Sequence, residues 1–184
     1  MKKLLTHCLV GFLVYFLFIG VLNAAAFMKI KGVEGESTDT SHQGEIDVLA
    51  WRWGAHRSVE LKSGRGDSPK IGKTIGSMEI NFAKLVDTTT PVLMQACANG
   101  EHIDEAVLTV RKAGEEPVEY YVITMKKVMV TSVATSSADE TQPLMEEIVL
   151  NFREVDVHYL PQKEDGSVGE PIEYQWSISK SGKP

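Results

Sequence analysis

Ser77-Met78-Glu79-Ile80-Asn81-Phe82 alternates polar with apolar residues, and Ile148-Val149-Leu150-Asn151-Phe152 repeats the pattern with Ile148, Leu150 and Phe152 in step. A period of two is that of a β-strand with one face turned inward. Working outward from these two stretches, the same reading makes strands of Phe27 to Val33, Ile46 to Trp53, Ala106 to Lys112, Val118 to Val133, Val155 to Tyr159 and Tyr174 to Ser179. Ala113-Gly114-Glu115-Glu116-Pro117 supplies turn chemistry for a hairpin. Val118 to Val133 exceeds ordinary strand length, which predicts a bend or bulge near Lys126-Lys127.

One segment departs from this period. Thr90-Pro91 offers a cap and a first-turn proline, and Gly100 suits a left-handed C-terminal position, so a helix of roughly nine residues is expected between them. Val92, Leu93, Ala96 and Cys97 recur at spacings of three and four and are expected to lie on the sheet. Many short strands and one helix predict an all-β fold, a small β-barrel or sandwich with one flanking α-helix. The polar stretches Ser58 to Ser68 and Ala134 to Gln142 are read as mobile loops.

Ile46 to Trp53 is unusual for a solitary barrel. Ile46, Val48 and Ala50 would form one face and Leu49, Trp51 and Trp53 the other, leaving neither face polar. Either a subunit contact or a covering loop accounts for this.

The chain has 184 residues and a formal charge of −6. Its first 26 residues carry only Lys2 and Lys3, so the remainder stands at −6 − 2 = −8. Scattered basic residues among more numerous acids exclude a nucleic-acid binding face of the ordinary kind. Cys8 lies in the N-terminal apolar run, leaving Cys97 as the only thiol beyond it, read as a core residue.

Lys2-Lys3, an apolar stretch from Leu4 to Leu22 and then Ala24 to Ala26 have the layout of a signal peptide, cleaved before Phe27. Two other readings stay open: an uncleaved membrane anchor over 1–26, and a true start at Met28. The chain therefore divides into a leader, 1–26, and one domain, 27–184.

No GxSxG, Walker loop, HExxH or CxxC is present, so neither a catalytic site nor a metal or other cofactor is expected. His42 with Glu36, Asp39, Glu45 and Asp47 could be drawn as a metal or acid–base cluster, but the spacing is that of a solvated loop. His56, His102 and His158 show no partner spacing. Arg65-Gly66-Asp67 is sufficiently explained as a turn.

Phe27-Met28-Lys29-Ile30, Val33-Glu34-Gly35-Glu36-Ser37, His42 and Glu45-Ile46-Asp47-Val48-Leu49-Ala50-Trp51 closely resemble the opening of the Hcp proteins of type VI secretion systems. Asn81-Phe82, Asp87, Thr90-Pro91, Leu93-Met94, Ala96-Cys97, Gly100, Leu108 to Gly114, Val149 to Phe152, Tyr159, Pro161-Gln162, Gly166, Tyr174 and Trp176 continue the likeness in order. The resemblance implies an Hcp-like barrel that forms homohexameric rings stacked into a tube, with spike, sheath and effector proteins as partners and export through the type VI apparatus. It gives Gly35 to Glu45 the part of an extended arm reaching a neighbouring subunit. Glu36, Ser37, His42, Glu45, Asp47, Trp51 and Trp53 are then the candidate assembly residues. The leader departs from the family pattern and keeps a second reading, a periplasmic or inner-membrane accessory protein that builds no tube. The loop from Ser58 to Gly76 also lacks the glycine run often found there.

Overall fold

The computed structural model describes residues 25–54, 78–112, 117–137, 143–163 and 167–178. The leader up to residue 24, the glycine turn at 113–116, and the Ser58 to Ser68 loop with Arg65-Gly66-Asp67 lie outside the described residues, as does His56.

The strands are β1 (Ala25–Ile30), β2 (Ile46–Val48), β3 (Ala50–Trp53), β4 (Glu79–Leu85), β5 (His102–Arg111), β6 (Glu119–Ser136), β7 (Met145–Asn151), β8 (Glu154–Tyr159) and β9 (Ile172–Ser177). One helix, α1 (Thr89–Asn99), joins β4 to β5. All pairings are antiparallel, in the order β2-β1-β5-β6-β7-β4-β3, with β8 on β6 and β9 on β8. The two ends of that order, β2 and β3, are consecutive in the chain with Leu49 between them. Val48 pairs with Ala26 of β1, Ala50 pairs with Ala83 of β4, and the Leu49 N–H donates to the Ala83 carbonyl at 2.8 Å. The sheet thus returns on itself through Leu49, and the expected all-β barrel forms, with a single flanking helix among the described residues.

The alternation that predicted strands also fills the core. Ile80 and Phe82 from β4, Ile148 and Leu150 from β7, Leu108 from β5, and Ile123 and Met125 from β6 are all buried inside it. The long strand bends where expected. β6 leaves β8 at the Lys126–Glu154 pair and takes up β7 at the Met129–Asn151 pair, and Lys127 between them has φ 57°. That left-handed angle is uncommon for a lysine and turns the strand at the barrel corner.

Three expectations need correction. Ile46 and Val48 face inward, but so do Trp51 and Trp53, which sit half-buried against the core, while Leu49 is 54% exposed and Ala50 is exposed. A bend at Leu49 shifts the period by one residue, so the two apparent faces are one face read across an irregularity. Second, β6 runs through Ser136, so Ala134 to Ser136 are strand and not loop. Third, the inward face of α1 is narrower than its sequence suggested. Leu93 and Ala96 are buried and Cys97 half-buried, but Val92 is 44% exposed.

The ends of α1 follow their chemistry. Gly100 adopts φ 63°, and the N–H groups of Gly100 and Glu101 donate to the carbonyls of Cys97 and Ala96, which closes the last turn. At the start it is Asp87, and no threonine, that caps. Its Oδ1 accepts from the Thr89 N–H at 2.8 Å and the Thr89 hydroxyl at 2.5 Å, while the Thr90 hydroxyl accepts from the Asp87 N–H at 3.2 Å. Among the described residues no helix is long and apolar enough to cross a membrane.

Candidate assembly surface

The segment Gly35 to Glu45 is folded back on its own barrel. Gly35 and Ser37 donate their N–H groups to the carbonyls of Gly44 and Glu45, at 2.7 and 3.0 Å, and Gly44 returns a bond to Ser37 at 3.0 Å. These bonds make the arm a narrow closed loop that presents its tip to the barrel. Ser37 is buried there, and its hydroxyl lies 3.4 Å from the Asp39 N–H as acceptor.

His42 anchors the loop. It is 5% exposed, and its ring stacks on Phe27 of β1 with centroids 4.1 Å apart. Its Nδ1 lies 2.9 Å from Glu45 Oε2; a carboxylate can only accept, so Nδ1 carries the proton. Nε2 is buried without a hydrogen bond, 3.4 Å from Glu119 Oε1 at the start of β6. On the Phe27 ring Arg111 of β5 also rests, 5.1 Å from its centroid, and Arg111 forms a two-pronged ion pair with Asp39, Nη1 to Oδ1 at 3.0 Å. Ring stacking and a fork-shaped ion pair therefore hold the same loop.

The Arg111 guanidinium, helped by the Ser41 N–H, holds the Asp39 carboxyl below its ordinary 3.8, at about 2. Because the folded-state value is the lower one, this contribution is present above pH 3.8 and is lost as pH falls through about 2. A carbon NMR titration of Asp39 is expected to show a midpoint near 2, rising toward 3.8 in Arg111→Gln. A wild-type midpoint at 3.8 would mean that the ion pair does not hold the arm in solution.

The remaining candidates are dispersed. The Glu36 side chain is exposed and its Oε1 accepts the Thr88 N–H at 3.0 Å, tying the arm to the approach of α1. Glu45 serves His42, and Asp47 is exposed on β2. Trp51 stacks on Tyr121 of β6 at 5.8 Å, and burial pushes the Tyr121 phenol up. The acid–base drawing of His42 with Glu36, Asp39, Glu45 and Asp47 does not come together: Glu36 accepts from Thr88, Asp39 pairs with Arg111, Asp47 is exposed on β2, and Glu45 is the member that meets His42. Among the described residues no three His, Cys, Asp or Glu side chains sit close enough to hold a metal ion.

Two features escaped the sequence reading. His158 has neighbours after all, Asp156 at 3.1 Å on its own strand and Glu173 at 3.4 Å, its register partner on β9. More consequential is Lys84, wholly buried on β4. Its Nζ lies 2.7 Å from Asp87 Oδ1, 2.8 Å from Glu146 Oε2, 3.3 Å from the Thr90 hydroxyl and 2.9 Å from the Leu85 carbonyl. Burial works to raise the Asp87 pKa, but bonds from Lys84 and Thr89 outweigh it and hold the carboxyl below its usual range. The cluster welds the start of α1 to β4 and β7.

This fold is that of a type VI secretion β-barrel. A solved structure described as a type six secretion system protein matches with a TM-score of 0.80 at 26% identity, covering 88% of this chain and 100% of that one. Hcp1 from Salmonella typhimurium matches with a TM-score of 0.68 at 32% identity, over 87% and 97% of the two chains. Protein hcp1 of Pseudomonas aeruginosa is 45% identical over 157 residues, 84% of this chain and 95% of that protein. The family described as "Type VI secretion system effector, Hcp" matches residues 27–159, and the chain belongs to it. Its role is the structural one of a type VI secretion tube subunit.

Proposed function

We propose that the chain assembles into homohexameric rings that stack head to tail as the inner tube, within a contractile sheath and behind a spike, with small effectors carried in the lumen. The observation that carries this is the 45% identity to the Pseudomonas relative over 95% of that protein. Ring closure needs each copy to offer two unlike surfaces. Within that reading Glu36, whose carboxylate also holds the Thr88 N–H, and Asp47 are exposed toward a neighbour, whereas Ser37, His42 and Glu45 act by giving the arm its shape. Trp51 and Trp53 contribute through their half-exposed edges.

The domain is taken as 27–184 behind a leader at 1–26. β1 nevertheless begins at Ala25, with Ala25 and Ala26 paired to Arg111 and Val110, so cleavage before Phe27 would remove two paired residues from the barrel. The leader motivates the second reading, a periplasmic or inner-membrane accessory barrel. Recovery of the protein from culture medium tests the choice. It is expected in the medium of cells with a working type VI apparatus and absent when the sheath is deleted. Retention in the periplasm or membrane in both strains favours the accessory reading.

A further inference from the structure

α1 has no charged residue in its 11 positions, Thr-Thr-Pro-Val-Leu-Met-Gln-Ala-Cys-Ala-Asn, although it lies at the surface. Its outward face carries Val92, 44% exposed, and Met94, 43% exposed, beside Gln95 and Ala98. A helix whose outer face meets only water ordinarily carries charge there. The apolar surface continues into the end of the β4–β7 pair. Leu85 and Met145 are register partners, Val86 donates its N–H to the Leu144 carbonyl, and all four side chains are exposed.

A second apolar patch of different shape lies on the other branch of the bent β6 ribbon. Tyr159 of β8 and Ile172 of β9 are register partners, and Tyr174 follows Ile172 on the same face. Ile172 is 62% and Tyr174 46% exposed. β9 pairs only with β8 among the described residues, so its outer backbone edge is open to a partner.

Charge indicates what covers these patches. At a net charge of −6, two copies of the chain repel wherever their acidic surfaces meet. The uncharged face of α1 and the Ile172–Tyr174 face of β9, on the opposite side of the strand from Glu173 and its neighbour His158, allow approach without that opposition. A ring also requires two unlike patches on each copy, which these are. We infer that the outer face of α1 in one copy receives the β9 edge of the next copy, with Val92 and Met94 set against Ile172 and Tyr174. The inference rests on the ring-forming reading above.

Two variants of the full chain test it, Val92→Glu with Met94→Glu, and Ile172→Glu with Tyr174→Glu. All four positions are exposed, so each variant is expected to keep the wild-type circular dichroism and melting curve while its native mass falls from ring to single copy. Should a double variant unfold, Met94→Lys or Ile172→Lys alone takes its place. Mixed in equal amounts, the two variants are expected to form a heterodimer and nothing larger, because one intact helix face and one intact β9 edge remain between them. Rings from either variant, or a mixture that stays as single copies, would overturn the contact while leaving the tube reading in place. A wild-type chain that forms no ring at any concentration would instead overturn the tube reading, and this inference with it.

Discussion

Lys84→Met is expected to destabilise the fold by about 3–5 kcal/mol, because it leaves Asp87 and Glu146 as uncompensated charges in a closed space. Glu146 is 1% exposed and Lys84 0%, so water cannot take over the lost partner. The threonine hydroxyls that bond Glu146, Thr90 at 2.8 Å and Thr135 at 3.0 Å, support a carboxylate but do not neutralise it. Adding Glu146→Gln to Lys84→Met should recover part of the loss, since glutamine still accepts a hydroxyl bond and carries no charge. Denaturant unfolding of the wild type, both single variants and the double variant measures this coupling directly. Additive losses would show that the two side chains do not share one charge network. Their net contribution is a separate matter, because burying such ions opposes folding.

Gly35→Ala is expected to detach the arm from the barrel. A Cβ at Gly35 would collide with the Glu45 carbonyl oxygen and fall 2.7 Å from its carbon, both backbone atoms that no rotamer change can move aside. The two sides of the loop must separate, and the Gly35–Gly44 and Ser37–Glu45 bonds with them. Forcing atoms into so tight a contact costs about 1–3 kcal/mol. The effect should be local, since the core of β4 to β7 lies elsewhere. Limited proteolysis is therefore expected to cut within Gly35 to Glu45 at least about tenfold faster in the variant, a factor that corresponds to 1.4 kcal/mol of added opening. Cleavage at the wild-type rate would mean that the close approach at Gly35 is absent in solution.

Strand and helix were legible where local chemistry agreed with the final packing. Ile80 and Phe82 are inward in the structure as in the alternation, Gly100 ends α1 by its left-handed angle, and Lys126-Lys127 marks the corner of β6. Ile46 to Trp53 was misread because one irregular residue, Leu49, reverses a period of two for everything after it. Val92 was misplaced because helical spacing says which residues share an arc but not how wide the contact is.

The buried charges were in reach of the sequence. Lys84 is in phase with Ile80 and Phe82, and Glu146 is in phase with Ile148 and Leu150, so both stood at inward positions of strands that proved to be neighbours with Lys84 and Glu146 as register partners. The arm was not in reach in the same way. Stacking of His42 on Phe27 and the Arg111–Asp39 pair join residues far apart in the chain, and only the closed sheet brings them together. The family was legible because its residues recur in order along the chain, whereas the contact surface depends on exposure.

The central claim, that this chain is a tube subunit, is tested most directly by the native mass of the purified full-length protein together with its electron micrographs. The account predicts the mass of a hexamer and rings with an open centre, joining into short tubes at high concentration. A single-copy mass at every concentration, with no ring in the micrographs, would contradict it.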